Sequence, residues 1–458
     1  MNRVARRAGI TLLLVLILTA GLAFFVTEYM VKAGDWVIFT GSPHVYSGGN
    51  IGCGTVIDRE NVLLLDMNGQ RKYSNVETIR KATVHWIGDR QGSIDAPALS
   101  NYASQLAGYD LLNGVYSYAG DGGVAQLTIS AAAQEAALKA LGDYKGTVGV
   151  YNYKTGELIC AVTTPTYDPD NAPELTEDDS EALEGIYLNR FTQSCYTPGS
   201  IMKIVTLAAA LETIPDIQQQ TFICRGSYTI GENEITCEGT HWEQDLKTAF
   251  RNSCNCAFAQ ISQQLTGKTL QEYAEKFGIT QSVSFDGIQT AKGNFDVADA
   301  DELSVAWASI GQYTDQINPC AYMTFLGSIA ADGKGVAPYL VEKITVDGLK
   351  TYSAKTEKRS RILSADTAKI LQEYLAFNVS DKYGSENFPG LTVCAKTGTG
   401  EVEGKKPNAM LTGFVANEEY PFAFIVAVED GGYGNSVCTP ILSKVLAACK
   451  AAVDENNG

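Results

Sequence analysis

The chain has 458 residues, 45% of them apolar and 19% charged, the proportions of a folded protein with room for two or three domains. Its formal net charge of −17 argues against a nucleic-acid-binding surface, which would be basic. That charge suits solvation outside the cell and identifies no substrate.

Gly9–Val26 is a run of 18 residues without a charge, preceded by Arg3, Arg6 and Arg7. As a helix rising 1.5 Å per residue it spans about 27 Å, close to the hydrocarbon thickness of a bilayer. The arginines place its N-terminus in the cytoplasm and the residues after Glu28 outside. A cleaved signal peptide would have to use Gly21-Leu22-Ala23, a poor cleavage motif. Residues 1–31 therefore read as a tail and single-pass membrane anchor. Residues 32–125 read as a smaller outer domain with Gly-rich turns and the strand-like runs Asp35–Phe39 and Val62–Asp66. Residues 126–458 read as the main domain. Its strand-like runs cluster at both ends: Val148–Tyr153 and Leu158–Thr163, then Leu391–Ala395, Ala409–Val415 and Phe422–Val428. Helical patterns fill the middle and the stretch Ile441–Val453. The expected fold is α/β of the α+β type, one antiparallel sheet completed late with helices on its faces. The acidic segment Asp168–Glu184 reads as a loop.

Within the main domain, Ser200-Ile201-Met202-Lys203 is the one place where a Ser precedes a Lys by three positions and the run Ile201, Ile204, Val205, Ala208, Leu211 follows at helical spacing. Residues three apart share a helix face, so the Ser200 hydroxyl and the Lys203 amine stand side by side. A Ser hydroxyl needs a neighbouring base to become a nucleophile. Lys203 serves as one only when uncharged, so burial or a cationic neighbour must lower its pKa.

Two further elements come after it in order: Ser253-Cys254-Asn255, 53 residues after Ser200, and Lys396-Thr397-Gly398-Thr399, 196 residues after it. Ser253 opens the apolar run Ala257, Phe258, Ile261, and Lys396 ends the strand-like run Leu391–Ala395. Two decoys spell the same patterns. Lys154-Thr155-Gly156 reads as a hairpin turn and precedes Ser200, and Ser385-Glu386-Asn387 reads as a loop.

Ser-x-x-K, Ser-x-Asn and Lys-Thr-Gly in this order form the signature of penicillin-binding proteins and related β-lactamases. From about Gly123 onward the chain resembles a class B penicillin-binding protein transpeptidase domain. The segments NRFTQSCYTPGSIMKIVTLAAAL, SIGQ at Ser309–Gln312 and CAKTGTGEVEG carry the resemblance. The run Gly54-Thr55-Val56-Ile57-Asp58-Arg59 resembles the opening of the family's non-catalytic domain, with Cys53 where the family usually has Arg.

The resemblance implies a serine β-lactamase/transpeptidase-like fold, with a five-stranded antiparallel sheet and a pedestal over residues 32–125. It implies a peptidoglycan D,D-transpeptidase acting on stem peptides that end in D-Ala-D-Ala, acylated by β-lactams and partnered by a membrane-embedded glycan polymerase. No cofactor is implied. By family pattern, Ser200 is the nucleophile and Lys203 its base, Ser253 relays a proton, and Asn255 binds the substrate backbone. Lys396, Thr397 and Thr399 hold the terminal carboxylate, and Gly398 lets the substrate lie along the strand. The stretch before residue 126 is too short for the glycosyltransferase domain of the bifunctional class.

The rival readings are a D,D-carboxypeptidase or β-lactamase of the same fold, a β-lactam sensor without turnover, and an idle scaffold. The nearest match to a β-lactamase deacylation loop, Glu184-Gly-Ile-Tyr-Leu-Asn189, has the wrong spacing and precedes Ser200. Eleven cysteines leave at least one unpaired unless the protein forms an intermolecular bond. Cys224 and Cys237 flank the hairpin-like RGSYTIGENEIT and could pair across it. Cys254 and Cys256 adjoin the proposed site, but two thiols and the scattered His44, His85 and His241 show no zinc spacing, so no metal is expected.

Overall fold

A computed structural model describes residues 2–39, 42, 45–47, 49–109, 121–174 and 182–457. His44 and residues 175–181 of the expected acidic loop lie outside the described residues.

The first helix, Asn2–Val37, leaves the apolar side chains of its Gly9–Val26 run exposed, as a helix meant for lipid must; Ala33, near its end, is buried. It runs on through Asp35–Val37, where a strand was expected; nothing in Glu28–Val37 is a Pro or a Gly pair that would stop it. A second long apolar helix, Gly434–Asn457, instead buries Ile441, Leu442, Val445, Leu446 and Cys449 against the main sheet. It is a core helix.

The main sheet has five antiparallel strands in the order Val393–Gly400, Asn408–Val415, Phe422–Val428, Gly146–Asn152, Leu158–Thr164. The chain thus leaves the sheet after Leu158–Thr164 and returns more than two hundred residues later, as the two clusters of strand-like runs suggested. Period-two alternation divides its side chains between two cores. Val148, Val150, Leu411, Phe424 and Val426 meet the helices Ala131–Leu141 and Gly434–Asn457. Tyr151, Met410, Ile425 and Ala427 meet the other core, with the buried helix Pro319–Ala330. Helices on both faces explain why Phe422–Val428 is apolar throughout and buried at every position.

A second sheet of six strands has the order Leu349–Ser353, Val341–Val346, Val124–Leu127, Thr55–Ile57, Leu63–Asp66, Lys72–Tyr73. It mixes strands from before residue 125 with a hairpin from far inside the second segment. The expected boundary at 125/126 falls inside Val124–Leu127, which pairs with Thr55–Ile57 in parallel and with Val341–Val346 antiparallel. Side-chain patterns gave no sign of this border because the pairing is made by backbone groups.

Candidate active site

Ser200 lies in a single 3-10 turn, Gly199–Ile201, that leads into the helix Lys203–Thr213. The turn is held against the sheet by backbone. Gly199 has φ +54°, its N–H donates to Gly311 O at 2.9 Å, and a Cβ placed on it would lie 2.1 Å from Thr399 O. Only a glycine fits both demands. Tyr322 Oη donates to Ile201 O at 2.7 Å, and Thr206 Oγ1 to Ser309 O at 2.7 Å, so the turn and helix are fixed from a third side.

Burial of the helix carries Lys203 to 0% exposure. Its Nζ stands 2.8 Å from Ser200 Oγ, 2.7 Å from Asn255 Oδ1, 2.8 Å from Ser253 O and 3.2 Å from Ser253 Oγ. Two of these partners, the amide oxygen and the carbonyl, only accept. A neutral amine has two N–H bonds for them and one lone pair, which then faces hydroxyls able to donate. Burial lowers the Lys203 pKa to about 8, which brings that neutral form within reach near physiological pH.

Ser253 sits at φ +55°, in the left-handed region that a non-glycine residue seldom adopts. The following Cys254 caps the helix Asn255–Ser262, and this sharp turn aims Ser253 Oγ between two amines. Lys396 Nζ is 3.0 Å from Ser253 Oγ and 2.9 Å from Thr397 O. Lys396 is also 0% exposed; burial, then the nearby charges of Lys203 and Lys382, hold its pKa well below the usual lysine range.

Lys396–Thr399 lie inside the strand Val393–Gly400, in register with Thr412 to Ala409; the strand does not stop at Ala395 as the apolar run suggested. Ladder pairing extends the strand past the point where side-chain propensity weakens. Ser200, Ser253, Asn255, Thr397 and Thr399 line one cleft of about 410 Å³. Gly398, between the cleft-lining Thr397 and Thr399, packs against the chain around Ser200, where a Cβ would sit 2.6 Å from Pro198 O.

The decoys fall elsewhere: Lys154 is exposed in a turn, its N–H on Asn152 Oδ1 at 2.9 Å, and Ser385–Asn387 is a short 3-10 turn with no buried residue. Sequence reasoning missed Tyr383, whose buried hydroxyl accepts from Thr397 N at 3.3 Å and meets Thr397 Oγ1 at 3.1 Å. It also missed Trp307, Glu238, Lys382 and Glu401 in the cleft wall; Trp307, just before SIGQ, and Glu401, inside CAKTGTGEVEG, had a nearby motif to flag them.

Two cysteine expectations change. Cys224 and Cys237 are both free thiols. Of the two thiols near Ser253, Cys254 is not short of ligand neighbours: Cys224, Cys237, His241 and Cys254 bring their ligand atoms within 4.8 Å of one another. Their separations in sequence match no common zinc pattern, so only the fold reveals the group.

A family profile described as "Penicillin binding protein transpeptidase domain" matches residues 146–447. The chain is 29% identical over 363 residues to the peptidoglycan D,D-transpeptidase PbpA of Mycolicibacterium smegmatis, covering 71% of this chain and 72% of that one. It is 25% identical over 316 residues to the stage V sporulation protein D of Bacillus subtilis, covering 64% and 47%. Among solved structures, it is similar to penicillin-binding protein A of M. tuberculosis in a ceftriaxone acyl-enzyme complex, with a TM-score of 0.74 at 24% identity, covering 87% of this chain and 98% of that one. It is also similar to a D,D-transpeptidase domain from Eggerthella lenta, with a TM-score of 0.76 at 24% identity and the same coverage.

Proposed function

The chain belongs to the penicillin-binding protein transpeptidase-domain family, and from that premise we propose that it is a peptidoglycan D,D-transpeptidase working through a serine acyl-enzyme. One observation carries the reading: the Lys203 amine touches Ser200, Ser253 and Asn255 at once, and Ser253 links it to Lys396.

Ser200 Oγ attacks the carbonyl between the terminal D-alanines of a stem peptide, and its proton passes to the neutral Lys203. Ser253, bridging the two lysines, returns a proton to the leaving D-alanine nitrogen. The C–N bond breaks and an ester to Ser200 remains. An amine of a neighbouring stem then attacks the ester, forms the cross-link and frees Ser200. Asn255 Nδ2 donates to Thr236 O at 2.9 Å while its Oδ1 accepts from Lys203, which fixes the amide and leaves its second N–H for the substrate backbone. Lys396, Thr397 and Thr399 hold the terminal carboxylate. The substrate lies along Val393–Gly400 as an added strand, the Gly398 position giving it room. The backbone N–H groups of Ser200 and Thr399 receive the oxyanion, a contribution of about 10²–10³ in rate per donor. β-Lactams enter the same steps and stop at the ester.

In this reading residues 1–31 anchor the chain, residues 32–125 serve as pedestal and contact for a membrane-embedded glycan polymerase, and residues 126–458 carry the chemistry outside the membrane. The test is covalent labelling of the purified protein by a fluorescent penicillin. Wild type labels, and Ser200→Ala does not. Labelling of Ser200→Ala at the wild-type rate overturns the assignment.

A further inference from the structure

The group Cys224, Cys237, His241 and Cys254 has the dimensions of an ion's coordination shell. Cys237 Sγ lies 3.9 Å from Cys254 Sγ and 3.6 Å from His241 Nδ1. In a tetrahedral zinc site, with Zn–S about 2.3 Å and Zn–N about 2.0 Å, the S···S edge is about 3.8 Å and the S···N edge about 3.5 Å. We propose that these four residues bind one zinc ion as a closed structural site that fixes the Ser253–Asn255 element.

The local fold needs such a cross-link. Residues 221–245 form two ribbons of two strands each, Thr221–Cys224 with Trp242–Asp245 and Ser227–Ile230 with Asn233–Thr236. Most of their side chains are exposed, and a two-stranded ribbon is at best marginally stable alone. The ligands stand where these pieces meet. Cys224 ends one strand opposite Trp242, His241 immediately precedes Trp242, and Cys237 directly follows Thr236. Cys254 joins them from the helix start, its Sγ 3.4 Å from Ala257 N. A helix N-terminus favours a thiolate, the form a metal binds.

Binding releases the three thiol protons, so a +2 ion and three thiolates leave the site with a single negative charge, next to that helix N-terminus. The Cys256 thiol also neighbours Cys224, Cys237 and Cys254 but lies outside the four ligand atoms that share one 4.8 Å cluster; disulfides among these sulfurs would leave His241 without a role. Four protein ligands leave no open position, which marks the site as structural. Cys254 lies between Ser253 and Asn255, and Thr236, Cys237 and Glu238 line the cleft wall. Through Cys237 and Cys254 the ion ties that wall to Ser253 and Asn255, acting as a positioning element.

The full chain, purified in detergent without added metal, is assayed by elemental mass spectrometry and thermal melting. The expected content is about one zinc per chain. Cys237→Ser and the half-exposed His241→Ala should lose most of it, while Cys195→Ser, outside the group, keeps it. Stripping with a strong chelator should lower the melting temperature and slow penicillin acylation, and added zinc should restore both. Ser200→Ala keeps its zinc whatever the reaction, so this proposal and the assigned chemistry fail separately. Three results overturn it: protein without zinc that takes none up when offered it, a disulfide that engages Cys224, Cys237 or Cys254 (with one another or with the neighbouring Cys256) in non-reducing peptide mapping, or equal zinc loss from Cys195→Ser and His241→Ala.

Discussion

The pH dependence of acylation is set by the surroundings of Lys203. Its amine is fully buried, and burial lowers its pKa from 10.5 to about 8. The difference represents about 3 kcal/mol in favour of the neutral form. Lys203 bonds two obligate acceptors, Asn255 Oδ1 and Ser253 O, so only its lone pair remains to take the Ser200 proton. The neutral fraction is then about one half at pH 8, about a tenth at pH 7 and about a hundredth at pH 6. The second-order rate of labelling by a fluorescent penicillin, measured by stopped flow, should rise about 90-fold from pH 6 to pH 9 and flatten above it. Lys203→Arg keeps the positive charge and cannot become neutral, so it should label at a negligible rate at every pH while its melting curve stays cooperative. A wild-type profile flat between pH 6 and 9, or an Lys203→Arg variant that labels normally, would refute the role of Lys203 as the base.

Gly199→Ala should cut labelling at least about tenfold and lower the melting temperature, because φ +54° costs alanine about 1–2 kcal/mol and its Cβ would strike Thr399 O. Tyr383→Phe removes the hydroxyl that meets Thr397; labelling should slow about tenfold at limiting penicillin, with the stability loss near 1 kcal/mol in urea unfolding. Burial lowers the His85 pKa from 6.5 to about 4, so the fold favours its neutral form. Its stabilising contribution is complete above pH 6.5 and is lost as pH falls toward 4, about 3 kcal/mol in all; His85→Gln should flatten that part of the stability profile in denaturant titrations between pH 4 and 7.

The apolar anchor, the two clusters of strands in the main sheet and the three ordered motifs around Ser200, Ser253 and Lys396 were legible in the linear chain. Each depends on local chemistry: an uncharged run long enough for a bilayer, apolar strands with turns between them, a hydroxyl three residues before an amine. The strand through Lys396–Thr399 extended further than its side chains indicated, since its pairing with Asn408–Val415 is made by backbone groups that every residue carries. The six-stranded sheet, built from segments as distant as Thr55–Ile57 and Val341–Val346, arises from the same anonymous bonding. Tyr383 reaches Thr397 from a segment with no motif of its own. The Cys224, Cys237, His241 and Cys254 group was invisible because its members are 13, 4 and 13 residues apart and meet only when two ribbons close against the start of a helix. Local chemistry can be read along a chain, but convergence in space depends on packing between parts that do not know one another until they fold.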